Sequence, residues 1–500
     1  MKKNIIIILI TLISLILVGC NNNNNGNGGF DGEVKTIVVD GGGDIGNFNT
    51  TPIMTPSESN PFPYNTLEVL AKEWEELNPG YKIHINRTSN NGERAIIIPQ
   101  LNNKTAPDIL YQNGTVVNMD IGKDYYVEMT DYLNKPNKYV EGNTAWKDLY
   151  APEELAQNLA TDGKHYAITL EKIPVGIMYN KEIFELIGKT DYPETYAELL
   201  TYMKDIKENT NKEAYATTYT WYDIVLETAM FSDLLGELDV LNVNGKVDTE
   251  EFVRGFQKGI WDPAKNATGS NPTLEDNRYY EYIKVTKMKT KYFPNNWQSY
   301  DAHTNFVNGN LAMVEVTGNE IRRLMVNKNL NFDWGIMPFP DLTTETTKYA
   351  SANPLRGVAG LATPWFITNS AVEKGTVEGA VDFLMFLTAP QNNNRLIGDL
   401  KGGIPLNPDE DTEIASHLND LLQIYNEDKN NVENNERVYW GAVNSWAMLG
   451  YSYNSTFLKS LQDIDNKLKT IEEVSISLAQ TIRNTVLALI IENEYDESKW

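Results

Sequence analysis

The chain has 500 residues, of which 41% are hydrophobic and 10% aromatic, and its 68 acidic residues outnumber 43 basic ones for a formal charge of −25. That balance argues against nucleic acid and anionic lipid as partners of the folded chain. One cysteine in the whole sequence excludes an internal disulfide, and the length exceeds one ordinary core, so two lobes or more are expected.

The N-terminus reads as a processing signal. Lys2 and Lys3 form a positive start, an apolar run follows from Ile5 to Val18, and "LVGC" places small residues ahead of Cys20. The run has fourteen residues, whereas about 20 are needed to span a bilayer. The stretch resembles a bacterial lipobox, which implies that residues 1–19 are a signal peptide and that Cys20 carries a diacylglycerol. Two acyl chains anchor stably where one does not. Residues 21 to 29 are almost all Asn and Gly, so 20–33 reads as a lipidated cysteine on a flexible tether. No second segment reads as a membrane span.

The fold is expected to begin near Val34. "KTIVVD" is a β-branched strand that runs into "GGGDIG", which has the G-x-G-x-x-G spacing of a dinucleotide site. That site needs a helix to start at once; a proline-rich stretch follows instead, so a strand and an open loop are predicted. Leu67, Leu70, Trp74 and Leu77 then recur at helical spacing behind a capping-box-like Asn65 and Glu68, with Trp74 in the core. "YKIHI" and "PDILY" read as strands. "HYAITLEKIPVGIMYN" reads as two strands broken near Pro174, and "KEIFELIG" as a helix closed by Gly188. "TYAE" at 195 to 198 is a capping box. Alternation of strands and helices predicts α/β lobes with largely parallel sheets. Further on, "NFVNGN" ends a helix at Gly309, "LAMVEV" is a strand, "TGNE" a loop, "IRRLMV" a helix and "FDWGIMPFP" a strand. Val377, Ala380, Val381, Leu384 and Leu387 mark one amphipathic helix, and Val474, Leu478, Ile482, Val486 and Leu489 mark the last. There is no internal repeat.

Taken in order, "KEWEELNPGYKIHI", "APDILYQNG", "HYAITLEKIPVGIMYNKEIFELIG", "TYAELLTYMKDIKE", "FVNGNLAMVEVTGNE", "WGIMPFP", and "FITNSAVEKGTVEGAVDFLMFLTAPQNNNRLI" followed by "GGIPLNP" resemble the family 1 extracellular solute-binding proteins of ABC importers. The resemblance spans residues 66 to 408, and 409 to 500 match only as a helical region. It implies an α/β, two-lobed, periplasmic-binding-protein-like fold with a ligand cleft between lobes joined by crossover hinge segments. Crossovers are implied near Glu171 to Gly176, near 311 and near 372, giving lobe 1 as 34–172 and 312–372 and lobe 2 as 173–311 and 373–500. It further implies a carbohydrate ligand, ABC permease subunits as partners, a monomer, no cofactor, no metal and no catalytic residue. The location implied is the extracellular face of the cell membrane, with Cys20 as the tie.

Sugars offer hydroxyls to planar polar side chains and C–H faces to aromatic rings. By family position, Asp44 after the first strand, Asn113 after "PDILYQ", Glu171 at the crossover and Glu320 in "TGNE" are expected at the ligand. Many family members carry an aromatic residue where Glu320 stands. Trp221 in "TYTWYD" and Trp365 in "ATPWFIT" are the expected aromatic contacts, with Trp297 and Trp440 as further candidates outside any family motif. Two other classes remain open: a lipid-anchored glycoside hydrolase, which would need two carboxylates about 5 to 9 Å apart, and a surface adhesin. His84, His165, His303 and His417 lie far apart and outside any H-E-x-x-H motif. "NPDEDTE" at 407 to 413 lacks the glycine and closing glutamate of a calcium loop.

Overall fold

The structure is a computed structural model, and it describes residues 32–41, 65–86, 94–112, 117–156, 158–217, 221–241, 243–261, 278–295, 297–400, 402–408, 416–432 and 437–500. The "GGGDIG" loop beyond Gly41, Cys20 and the Asn/Gly stretch 21–29 lie outside these residues. The strands are β1 (Lys35–Asp40), β2 (Tyr81–Asn86), β3 (Ile109–Tyr111), β4 (Ala167–Asn180), β5 (Glu213–Ala216), β6 (Leu311–Thr317), β7 (Trp334–Met337), β8 (Asn353–Pro354), β9 (Val358–Ile367), β10 (Ile404–Pro405) and β11 (Arg437–Val438).

Strand β4 organises the molecule. The expected break at Pro174 is absent: the strand continues, and only its register against β9 shifts between Lys172 and Pro174. Its first half pairs with β9, which leads through β3 and β1 to β2. Its second half, from Val175, pairs with β6 and β7, and β6 leads to β5. A single chain segment thus belongs to both lobes. The prediction of largely parallel sheets holds only for β1 with β2 and β3, for β5 with β6 and for the short pair β8 with β11, because β4 and β9 cross the molecule in opposite senses and force antiparallel pairing at the centre.

The cores follow this division. Lobe 1 buries Ile37, Val39, Trp74, Ile109, Trp146, Leu170 and Trp365 with Phe383, Leu384, Leu396 and Leu406. Lobe 2 buries Ile177, Tyr215, Tyr222, Phe231 and Tyr282 with Trp446, Phe457, Leu478 and Ile482 on one side of its sheet, and Val314, Val316, Leu418 and Leu421 on the other.

The second and third crossovers therefore differ from those implied near 311 and 372. Strand β6 stays in lobe 2, and the return to lobe 1 falls between β8 and Leu361, where the Gly357 carbonyl accepts from the Val175 N–H. Gly357 has φ 81°, and a Cβ there would sit 2.7 Å from the Leu421 carbonyl oxygen, so the turn needs glycine. Residues 373 to 406 then remain in lobe 1. The Trp74 indole donates to Asp382 at 2.8 Å, the Trp146 indole to Thr388 at 2.8 Å, and the Asn393 amide to the Leu170 carbonyl at 2.8 Å. Buried Asp108 accepts from the Val38 N–H, the Thr376 hydroxyl and the Lys374 ammonium. The chain returns to lobe 2 with the helix Ser416–Val432.

Local chemistry explains the elements. Thr195 and Glu198 form the predicted capping box, and Gly188 and Gly309 close their helices at φ 69° and 67°. The helix Thr66–Leu77 buries Leu67, Leu70 and Trp74, but Asn65 makes no side-chain cap and Leu77 is exposed. "TGNE" is no loop: Thr317 and Glu320 cap a helix that starts at Gly318. One described helix, Ile471–Glu492, does have the length and hydropathy of a membrane span, contrary to the sequence reading. Its Val474, Leu478, Ile482 and Val486 are buried in lobe 2, as the stripe predicts.

Candidate functional site

The carboxyl ends of β1 and β3 meet the crossover half of β4. Open α/β sheets bind ligands at such carboxyl ends. Asp40 and Gln112 are buried there, and Tyr111 pairs with Trp365 across β9. The Tyr111 hydroxyl is pushed up to about 12 by burial, then by the charges of Glu171 and Asp40. Those two carboxylates therefore face one phenol. Both polar atoms of the Gln112 amide are buried without a hydrogen-bond partner, an arrangement that native cores avoid except where another group completes it.

Glu171 is buried and lies 3.3 Å from the guanidinium of buried Arg322, on the helix that Thr317 caps. The two close approaches that seat this pair use Gly402 and Gly403: a Cβ on Gly403 would meet the Glu171 carboxylate at 1.9 Å, and one on Gly402 the Arg322 side chain at 2.3 Å. This ion pair spans the lobes, since Glu171 faces β9 and Arg322 belongs to the lobe 2 helix. Beside it, Lys172 pairs with Glu154 at 3.1 Å, and Tyr425 of the helix Ser416–Val432 donates to the same carboxylate.

On the lobe 2 side, Trp221 opens the helix Trp221–Phe231 and is half-buried; its ring lies 6.0 Å from that of Trp440. The sequence had ranked Trp440 below Trp221, and the structure brings the two together. The Trp440 indole N–H is buried with no hydrogen-bond partner. Trp440 follows Tyr439, which packs with Leu355, Val358, Ile404 and Tyr425 at the crossover. What holds Trp221 in place is Glu315 on β6, whose carboxylate accepts from the Tyr222 N–H at 3.3 Å and from the Tyr215 hydroxyl at 2.8 Å. The helix N-terminus favours that anion.

The other positions expected at the ligand fare differently. Glu320 accepts from the Thr317 N–H at 2.8 Å, so its carboxylate is spent on capping its own helix. Trp365 is fully buried in the lobe 1 core and presents no face to a cleft, a correction to the sequence reading, because β9 runs through the middle of its sheet with Ile168 and Tyr111 on either side. Trp297 is also buried, on the far side of lobe 2 against Phe293. Asp44 and Asn113 lie outside the described residues. Asp40, Tyr111 and Arg322, which the sequence did not single out, lie close to Glu171, and Gln112 follows Tyr111.

Beneath Trp221 lies a set of buried ionisable groups. Asp223 pairs with Lys289 at 2.5 Å, and Glu227 accepts from the Ser445 N–H at 3.0 Å. Burial pushes Glu227 up to about 8 and Glu315 to about 7, the latter opposed by Lys289. A carboxyl raised in the folded state keeps its proton while the unfolded chain loses it, so stability is full below the unfolded value and falls as pH rises through the folded one. Between pH 5 and 8 unfolding free energy is therefore expected to fall, by at most ~1.4 kcal/mol per pH unit for each group. Glu227→Gln keeps an acceptor for Ser445 and should flatten this slope in urea titrations; an unchanged slope would remove Glu227 from the account.

Among the described residues no group of three or more His, Cys, Asp or Glu could hold a metal ion. The arrangement offers aromatic faces and hydrogen-bonding groups, the means of binding a polyhydroxylated solute.

A profile of the bacterial extracellular solute-binding protein family matches residues 69–419, and the chain belongs to that family, which is one of binding proteins. Similar solved structures include a family 1 extracellular solute-binding protein from Bifidobacterium longum subsp. infantis (17% identity, TM-score 0.59, 91% of this chain and 100% of that one). Others are RafE from Streptococcus pneumoniae in its apo form (15%, 0.59, 91% and 99%) and the GacH receptor of Streptomyces glaucescens GLA.O, solved unliganded and with acarbose (13%, 0.57, 91% and 98%). At these identities the likeness carries the fold, two lobes around a cleft. No curated protein sequence matches.

Proposed function

We propose that the protein is a lipid-anchored extracellular solute-binding protein that captures a mono- or oligosaccharide by cleft closure and delivers it to an ABC importer. The observation that carries the carbohydrate reading is the Trp221–Trp440 ring pair of lobe 2, with Trp440 next in sequence to Tyr439 of the crossover cluster; lobe 1 supplies the buried polar groups Asp40 and Gln112 and the Tyr111 phenol. Solved structures of similar fold were obtained with α-D-tagatose and with maltotetraose, which suggests the ligand class to try first. The lobe limits that the strand pairing supports are 34–172 with 361–406, and 175–354 with 416–500. The protein acts as a monomer and without a cofactor.

Isothermal titration with tagatose, maltotetraose and acarbose tests this reading, followed by mass spectrometry of the recovered sugar. Binding is expected with the ligand returned intact. Cleavage that tracks the purified protein would favour a glycoside hydrolase, and absence of binding across a wide saccharide panel would favour an adhesin.

The anchor rests on the "LVGC" ending and the Asn/Gly tether. Cys20→Ser is expected to leave folding unchanged and to release the protein from membranes. Retention of the variant after a salt wash would refute lipidation.

A further inference from the structure

We propose a second ligand site, for an acidic saccharide, on the outer side of lobe 2. A cavity of about 480 Å³ opens between the helix Arg278–Thr290, the turn at Trp297 and the end of the helix Ser445–Asp465. That volume lies within the range of small-molecule sites. No lining residue belongs to a strand or to the crossover.

Three observations define its chemistry. First, the charge is inverted against that of the chain: Lys287, Lys291 and Lys467 line the cavity with a single carboxylate, Asp465. Asp465 is already paired with Lys287; among the described residues Lys291 and Lys467 make no ion pair, and the Lys291 ammonium lies 4.6 Å from the centre of the Tyr292 ring. Second, Phe293 and Trp297 meet edge to face at 5.5 Å and line the cavity with the small part of each ring that is not buried. The Trp297 side chain is buried, and its indole N–H has no hydrogen-bond partner. Third, Lys467 holds φ 59°, in the left-handed region where a helix normally ends on glycine. A lysine there lines the cavity at a conformational cost that glycine would avoid.

The cavity thus offers two exposed cations that no carboxylate neutralises, beside the edges of two rings. An anion rich in acceptors with a ring of its own satisfies all of them: a carboxylate for Lys291 and Lys467, and a C–H face for the rings. A uronic acid has this form. Neutral sugars lack the charge, and simple anions lack the face.

The test is calorimetry of the full-length chain with sodium glucuronate, with glucose as the neutral control. Glucuronate should bind and glucose should not displace it. The double variant Lys291→Gln/Lys467→Gly should bind at least about tenfold more weakly while its melting temperature stays level or rises, since glycine relieves the left-handed strain. Trp297→Phe keeps the ring and removes the donor, and should weaken binding to a smaller degree. Trp221→Ala should leave this binding untouched. No glucuronate binding, full affinity in the double variant, or loss of binding in Trp221→Ala would each overturn the proposal, the last by assigning the ligand to the cleft.

Discussion

Arg322→Ala is expected to destabilise the protein by about 3–5 kcal/mol, the usual cost of leaving one member of a buried ion pair behind. Glu171 would stay buried on β4, packed by Gly402 and Gly403, without the guanidinium it faces at 3.3 Å. Burial already holds Arg322 below its usual basicity, with Glu171 opposing the fall, so the two charges depend on each other. Replacing both, Arg322→Met with Glu171→Gln, removes the stranded charge and should recover most of the loss. Urea unfolding of the single and double variants is the measurement. A single variant as stable as the wild type, or a double variant no better than the single, would show that the pair does not act in this way.

Trp221→Ala should lower saccharide affinity by about 2 kcal/mol, roughly thirtyfold, with a smaller change in melting temperature. The ring is half-buried beside Trp440, and Glu315 secures its helix through Tyr222 rather than through Trp221 itself. Trp365→Ala provides the contrast. That ring is fully buried in lobe 1, so its loss should cost ~3–5 kcal/mol of stability and leave affinity intact in whatever stays folded. If Trp221→Ala melts like Trp365→Ala and keeps its affinity, Trp221 is core.

Local signals in the sequence were sufficient for most elements. A β-branched run marked β1, helical spacing marked the buried face of Thr66–Leu77, and a Thr-x-x-Glu box marked the start of Tyr196–Asn209. The same box at Thr317 passed for a loop because its first helical residues are Gly318 and Asn319, both poor helix formers. Crossovers were harder to read, since strands such as β6 and β9 look alike in isolation and only pairing partners across the chain assign them to lobes. Site residues suffered most. Arg322 meets Glu171 from 151 positions away, and Trp440 meets Trp221 across a still longer gap; no periodicity encodes such encounters.

The interleaving of the two cores has a consequence for biogenesis. Lobe 1 needs Phe383, Leu396 and Leu406, and lobe 2 needs Leu478 and Ile482, so neither can close until most of the chain has been made. At about 5–20 residues per second, a ribosome takes roughly 10 to 40 s to pass from the end of the first lobe 1 segment to the return of β9. Throughout that interval the nascent polypeptide has β1, β2 and β3 without their central partner strand. A chain destined for export gains from such a delay, because a translocation channel accepts extended polypeptide and a lobe that closed early would block it.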